Sequence, residues 1–418
     1  MLASLIGTTI EWYDFFLYGS AAALVFNRLF FPEYDPLTGT LLAFTTYALG
    51  FVARPVGGIV FGHFGDRIGR KRLLMFSLVL MGVATVLIGL LPTYAQIGIW
   101  APIALVVLRL VQGFAVGGEW GGAVLLAAEH GDARRRGFWA SWPQAGVPAG
   151  LILASGVLAL LSALQTDEDF MSWGWRVPFL LSAVLVGVGW WIRTSVAESR
   201  TFEAAIEEAE APPKVPAMDV LRERPMGLVV GSGLRLGENI SYYVITVFSI
   251  TYVTEVADLS RDTALRAILI GSIVHFFAIP AFARLSDAIG RRYVYAFGAL
   301  GLAAFSFAFF PMLGSGDMAL IAGAVTIALV LHGAMYGPQA AFIAELFPTR
   351  IRYSGASIAY QLTSIVAGSL APIIALTLYQ RTGSAFWVAV YVAAACAVSG
   401  ITALLARETR GVELASIR

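Results

Sequence analysis

Long apolar runs constrain this 418-residue chain more than any other feature. There are about twelve, each near the ~20 residues that a helix needs to cross a bilayer. They fall at 2–26, 38–62, 73–91, 101–127, 138–163, 176–195, 226–252, 264–283, 293–313, 318–341, 354–378 and 385–406. Only 13% of residues are charged and 58% are hydrophobic, where a soluble chain carries about 25% charged residues. In hydrocarbon every backbone polar group must be satisfied internally, and runs of this length do so as helices. The fold expected is an all-α membrane protein with twelve transmembrane helices.

The loop after the second run reads Gly62-His63-Phe64-Gly65-Asp66-Arg67-Ile68-Gly69-Arg70-Lys71-Arg72, and a damaged copy appears at Ala283-Arg284-Leu285-Ser286-Asp287-Ala288-Ile289-Gly290-Arg291-Arg292. Asp66 to Asp287 and Gly69 to Gly290 are both 221 residues apart. A second repeat pairs Ala128-Glu129 and Arg134-x-Arg136 with Ala344-Glu345 and Arg350-x-Arg352, at an offset of 216. A repeat of this size divides the chain into two pseudo-symmetric six-helix halves. The division expected is 1–196, a linker at 197–225, and 226–418. In the linker, residues 203–210 have helix propensity, and Pro212-Pro213 ends that helix.

Loop charge sets orientation. Arg67, Arg70, Lys71 and Arg72 lie in the second loop, Arg134 to Arg136 in the fourth, and Arg291 and Arg292 in the eighth. The odd loops are poor in basic residues, so the even loops and both termini are expected in the cytoplasm. The first run lacks a basic n-region and a cleavage site, and reads as a retained helix rather than a signal peptide. A net charge of +1 gives no global field for nucleic acid. The single cysteine, Cys396, excludes an internal disulfide and a cysteine metal cluster, and the four histidines show no ligand spacing. No metal or other cofactor is expected, and no nucleophile–base spacing marks an enzyme.

Ionisable groups near mid-span are functional candidates because they are costly there. Glu11, Asp14 and Tyr18 share one face of the first helix. Asp14, near the middle, is the first candidate for proton coupling, with Glu11, Glu119 and Glu238 behind it; a permanently paired structural carboxylate is the other reading. Arg109, Gln112, Gly113 and Trp120 fall near one stripe of the fourth helix. A guanidinium fork suits a carboxylate, and the glycines of this helix allow close helix contact. Arg235, Glu238, Asn239, Tyr242 and Thr246 form one polar stripe in the seventh. The 221-residue offset carries Asp14 onto Arg235, so an acid of one half is expected to face a base of the other. Lesser candidates for a cavity lining are Gln144, His275, His332, Tyr336, Gln339, Tyr360 and Gln361, with His275 read as structural. Asp66, Arg67, Arg70, Glu129, Asp287, Arg291 and Glu345 cluster at helix ends beside loops and are candidate gating residues, or simple loop anchors.

The pattern G-x-x-x-D-R-x-G-R-K at 62–71 resembles the loop between helices two and three of the major facilitator superfamily. Four runs narrow the resemblance to its metabolite:proton symporter family: Glu11-Trp12-Tyr13-Asp14-Phe15, Arg109-x-x-Gln112-Gly113-x-x-x-Gly117-Gly118-Glu119-Trp120-Gly121-Gly122, Trp173-Gly174-Trp175-Arg176-x-Pro178-Phe179, and Glu345-Leu346-Phe347-Pro348-x-Arg350-x-Arg352. Two departures are visible. Glu198-Ser199-Arg200-Thr201-Phe202 lacks the family's proline, and Ala145-Gly146-Val147-Pro148-Ala149-Gly150 echoes the antiporter signature only faintly. The resemblance implies a bacterial inner-membrane protein, acting as a monomer, that works by alternating access. It implies import of a small organic anion driven by the proton gradient, with a hydroxylated monocarboxylate such as shikimate as the substrate expected. A di- or tricarboxylate, a zwitterionic osmolyte, an exchanger and a non-transporting sensor stay open. Arg109 and Arg235, read as the arginines well inside spans, are expected to bind the carboxylate.

Overall fold

The structure is a computed structural model and describes residues 2–68, 70–117, 135–195, 216–348 and 351–412; the side chains of 2–4, 58, 59, 61–74, 192–195, 216–219 and 353 are not described. Twelve helical rods run through it, each close to one of the apolar runs. The first half contains α1 (Leu2–Ala21, continued by Ala22–Phe26 and Asn27–Leu29), α2 (Pro36–Ile68), α3 (Arg70–Leu90), α4 (Trp100–Val116), α5 (Arg136–Leu164) and α6 (Arg176–Ser195). The second contains α7 (Pro225–Tyr243, continued through Val244–Phe248, Ser249–Thr251 and Tyr252–Val256), α8 (Arg261–Ile289), α9 (Arg291–Leu313), α10 (Met318–Ala344), α11 (Arg352–Thr363, Ser364–Gly368 and Ala371–Thr382) and α12 (Phe386–Leu405). A short helix, Pro216–Glu223, precedes α7; the surface helix expected at 203–210 lies outside the described residues.

Seven of these helices are long and apolar enough to span a bilayer unaided, and the bent pair Asp167–Gly174 and Arg176–Trp191, at 45°, makes an eighth. α1 and α7 are not among them. Each is the first helix of its half and carries ionisable groups, Glu11 and Asp14 in one and Arg235 and Glu238 in the other. Such helices can enter hydrocarbon only if those groups turn inward, and all four are buried.

Local chemistry sets the ends. Asp35, Ser260 and Asp317 accept bonds from the first-turn amides of α2, α8 and α10, which satisfies donors the helix itself leaves free. Trp100, Trp173 and Trp387 are exposed near helix ends, where an amphipathic ring suits the membrane interface. The outer faces carry apolar side chains such as Leu160, Trp191 and Phe277.

The halves meet along α5 and α8, along α2 and α11, and where the π-helical end of α1 meets α7. A π-helical turn occurs at Ala22–Phe26 in α1 and again at Val244–Phe248 in α7, an offset within one residue of the sequence repeat. Within the first half α2 and α4 touch backbone to backbone. A Cβ on Gly113 would overlap the carbonyl oxygen of Gly50, so the close contact expected of the α4 glycines is present at this one.

Gly113→Ala should therefore force α2 and α4 apart, at or above the ~1–3 kcal/mol typical of overpacking. A lowered thermal midpoint of the purified protein in detergent is the readout. Gly187→Ala, with nothing within 4 Å of the added carbon, should leave the midpoint unchanged.

Candidate functional site

Two buried polar clusters lie at the centre of the bundle, one in each half. In the first, the guanidinium of Arg109 donates to Gln112 Oε1 at 3.1 Å and to the Tyr47 carbonyl at 3.4 Å. Gln112 passes its own amide hydrogen to Thr85 Oγ1 at 2.7 Å. The rings of Tyr18, Tyr47 and Phe15 surround the Arg109 carbon at 4.3, 4.7 and 4.8 Å, a cage that stabilises a desolvated cation by about 1–2 kcal/mol per good contact. Asp14 accepts a hydrogen bond from Ser182 of α6 through Oδ1, while Oδ2 is buried without a hydrogen-bond partner among the described residues. Glu11 and Asp14 line one narrow cleft together with Arg54, Arg109 and Gln112.

Arg54 is a finding that the sequence reading missed. It lies mid-way along α2, is 5% exposed, and packs against Phe51 and Phe15 at 4.5 and 4.7 Å. Arg109 and Arg235 are thus not the only arginines deep in the bundle. Neither Arg54 nor Arg109 has an ion-pair partner among the described residues. The neighbouring Pro55 was the available signal, because a charge beside a proline inside a span is costly twice over.

In the second half, Arg235 Nη1 donates to Glu238 Oε2 and to Gln339 Oε1, both at 2.9 Å. Its Nε and Nη2 donate to Ser364 Oγ at 3.2 Å, and the guanidinium lies 3.2 Å from the centre of the Tyr360 ring. Glu238 also receives Gln339 Nε2 and faces His332, each at 3.1 Å. The expected facing of Asp14 and Arg235 is not what the structure has. Asp14 turns toward α6, and Arg235 is neutralised by the acid one turn along its own helix.

Aromatic rings close the space between the clusters. Phe15 and Phe51 meet Tyr243 at 6.0 and 5.7 Å, and Phe16 meets Tyr242 at 5.7 Å. Gln144 of α5 donates to the Tyr336 carbonyl of α10, joining the halves directly. Asn239 Oδ1, the Tyr242 hydroxyl and Gln144 Oε1 are buried with no hydrogen-bond partner among the described residues. Tyr336 packs on His332 at 5.5 Å. Gln361, one position past Tyr360, is only half-buried and is not part of the cluster. Glu119 and Trp120 lie outside the described residues.

Of the gating candidates, Asp287, Arg291 and Glu345 come together at the end of the bundle that carries the basic loops. Glu345 is fully buried. It receives Arg136 of α5 at 2.9 Å, Thr409 at 2.5 Å and Arg291 at 3.5 Å. Asp287 pairs with Arg291 at 2.5 Å and accepts the amides of Gly137 and Phe138 at 3.0 and 2.9 Å. A carboxylate of the second half thus seats on the N-terminus of α5 in the first, where the helix dipole favours it. The opposite end is held by Arg28–Glu255 at 3.6 Å and Arg261–Asp167 at 2.8 Å, with Arg28 and Asp167 largely exposed. Exposed pairs contribute little. The Asp66, Arg67 and Arg70 side chains and Glu129 lie outside what is described.

Comparison with known proteins agrees with this architecture. Residues 4–363 match the family model described as Major Facilitator Superfamily. The shikimate transporter of Escherichia coli K12 is 43% identical over 412 residues, covering 98% of this chain and 94% of that one. The inner membrane metabolite transport protein YhjE of the same organism is 45% identical over 415 residues, covering 98% and 94%. The proline/betaine transporter of that strain is 33% identical over 416 residues, covering 97% and 83%. Among solved structures, a D-xylose-proton symporter superposes with a TM-score of 0.76 at 20% identity, covering 98% of each chain.

Removing the Glu345 charge should open the basic end. Glu345→Gln leaves Arg136 and Arg291 poorly compensated, and breaking one side of a buried pair costs about 3–5 kcal/mol. Ala140 of α5 is buried against Ala340 and Ala341 of α10, so a cysteine introduced at Ala140 reports on this seam. Its alkylation by a polar maleimide should be slow in the parent and faster in Glu345→Gln.

Proposed function

The chain belongs to the major facilitator superfamily, and on that premise we propose that it is a proton-coupled importer of a small organic acid, with shikimate or a similar hydroxylated monocarboxylate as substrate. It is a multi-pass membrane protein, and its relatives are metabolite transporters. The observation that supports the proposal is a set of buried donors without partners near the centre of the bundle, two of them on a cleft lined by α1, α2, α3 and α4. Arg54 Nε, Arg109 Nη2 and the Tyr242 hydroxyl have no hydrogen-bond partner among the described residues. A buried unpaired donor costs about 1–3 kcal/mol, and an anion seated in the cleft beside Arg54 and Arg109 would relieve both guanidinium donors at once. Hydroxyls on the substrate would suit Asn239, Gln144 and Gln112. The protein acts as a carrier rather than an enzyme, and the proton gradient is its energy source.

Loop charge places the basic end in the cytoplasm. The buried latch of Glu345 and Asp287 then closes the cytoplasmic side, and the weaker exposed pairs close the outer side. A carrier locked more firmly inside than outside favours opening toward the periplasm, which suits import. Asp14 is the first candidate to carry the coupled proton. Its carboxyl shares a cleft with Arg54 and Arg109, so neutralising it strengthens the site's attraction for an anion.

One observation favours a second reading. Arg54 and Arg109 together give the first half two cations without ion-pair partners among the described residues, which suits a substrate with two carboxylates. Thermal stabilisation by a panel of mono-, di- and tricarboxylates separates the two readings. Accumulation of labelled shikimate in proteoliposomes with an imposed proton gradient tests transport; binding without accumulation would identify a sensor.

Arg109→Ala and Arg235→Ala should each weaken shikimate binding by about tenfold to a hundredfold, as loss of a charge-assisted hydrogen bond costs about 1.5–3 kcal/mol. Lysine should restore only part, because a point charge lacks the fork. Unchanged affinity by calorimetry in both alanine variants would remove these residues from the site. Asp14→Asn should bind and exchange shikimate yet fail to concentrate it against a gradient; normal accumulation would place the coupling elsewhere.

A further inference from the structure

Glu238 is the end of a chain of hydrogen bonds that crosses three helices. Its Oε1 lies 3.1 Å from His332 Nε2 of α10, and His332 Nδ1 lies 3.0 Å from His275 Nε2 of α8. Arg235, Glu238, His332 and His275 are 2%, 2%, 1% and 0% exposed. His275 Nδ1, the far end of the chain, has no hydrogen-bond partner among the described residues. Tyr242 covers both imidazoles, with ring centres 4.7 Å from His332 and 5.7 Å from His275. The other titratable or charged groups around the chain are Tyr336 of α10, packed on His332, Tyr295 of α9, within 3.4 Å of Gln339, Tyr360 of α11, against Arg235, and Tyr243 of α7 and Cys396 of α12, which feel the Glu238 charge.

The chain has a direction. An ionised carboxylate only accepts, so His332 Nε2 carries a hydrogen. Nδ1 of that neutral ring must then accept, so His275 donates from Nε2. This leaves His275 Nδ1 as a buried acceptor with no donor. A proton bound there can move inward in two transfers. His275 Nε2 gives its hydrogen to His332 Nδ1, and His332 Nε2 gives its hydrogen to Glu238 Oε1. One proton enters at His275 and one arrives at Glu238. Both imidazoles stay neutral, each now protonated on Nδ1.

We propose that His275, His332 and Glu238 form a proton-uptake wire that switches Arg235 from an internal ion pair to a substrate anion. Once Glu238 is neutral, Arg235 loses its counter-ion while Gln339, Ser364 and Tyr360 keep it in place. The guanidinium then takes a carboxylate from the central space. Proton and anion favour each other's binding through Arg235, and the coupling is reciprocal. The inference rests on the reading of the substrate as an anion. It gives the second half a proton site of its own beside Asp14 in the first.

The test separates the wire from that reading. Infrared spectra of the purified protein in lipid, recorded across a pH titration without substrate, report the C=O stretch of protonated carboxylic acids. A component of this band that grows as pH falls should be missing in Glu238→Gln. Time-resolved spectra after a pH jump should show the same component appearing more slowly in His275→Gln, which keeps a donor for His332 but cuts the entry point. With shikimate as probe, the wild-type affinity should rise on acidification by about fivefold or more, the range of typical coupling energies. That rise should be flattened in Glu238→Gln. A full band in Glu238→Gln overturns the proposal, and an unchanged rate in His275→Gln overturns the histidine route. Failure of wild-type protein to bind shikimate counts against the substrate assignment and leaves the infrared result to decide the wire.

Discussion

A charge inside a bilayer has to be answered from within the protein, because lipid offers nothing in return. That constraint organises this molecule more than the packing of its apolar helices does. Arg54, Arg109, Arg235, Glu11, Asp14 and Glu238 all lie deep in the bundle, and each is held by a different device. Arg109 is caged by three aromatic rings and a glutamine. Arg235 is paired, hydrogen-bonded and stacked on Tyr360. Asp14 rests on the Ser182 hydroxyl. Apart from the Arg235–Glu238 pair, which lies within α7, these arrangements need neighbouring helices, and α1 and α7 depend on those neighbours to shelter their charges.

The two ends of the bundle are built on different terms. At the basic end, three carboxylates, Glu345, Asp287 and Glu408, meet arginines and backbone amides in a largely buried network. Glu408 accepts the first amide of α9 at 2.9 Å. At the other end the ion pairs Arg28–Glu255 and Arg261–Asp167 each have one exposed partner, and Arg261 also donates to Ser162 Oγ at 3.0 Å. Alternating access needs the two closures to be nearly balanced. On the proposed import cycle, substrate binding and protonation of the central acids would have to supply what loosens the basic end.

Much of this was legible in the sequence. Each of the twelve apolar runs lies on a helical rod among the described residues, although length and apolarity alone mark only seven of them, or eight with the bent pair, as spans. The ion-paired acids Asp287 and Glu345 stand out in the sequence because they recur at helix ends beside arginines. The repeat suggests a pairing of Asp14 with Arg235 that the structure lacks for a physical reason: residues equivalent by repeat occupy equivalent places in their own halves, which does not bring them into contact. Arg235 already has an acid three positions along its helix. The sequence alone presents His275 as structural because no acid is spaced to meet it on α8; its partner is another histidine 57 positions away on α10. Arg54 escaped because a single charge in an apolar run does not alter the reading of that run as a span.

The matched π-helical turns of α1 and α7 divide each helix into two parts. On the inner side lie the charged residues, fixed by hydrogen bonds to several neighbours. On the outer side lie Arg28 and Glu255, the pair that joins the two helices near their ends. A π-helical turn carries one residue more than the α-helical ladder around it, so the backbone there can bend or rewind without giving up its internal bonds. The outer tips of α1 and α7 can thus pivot as short levers while their inner segments keep the charged groups in register.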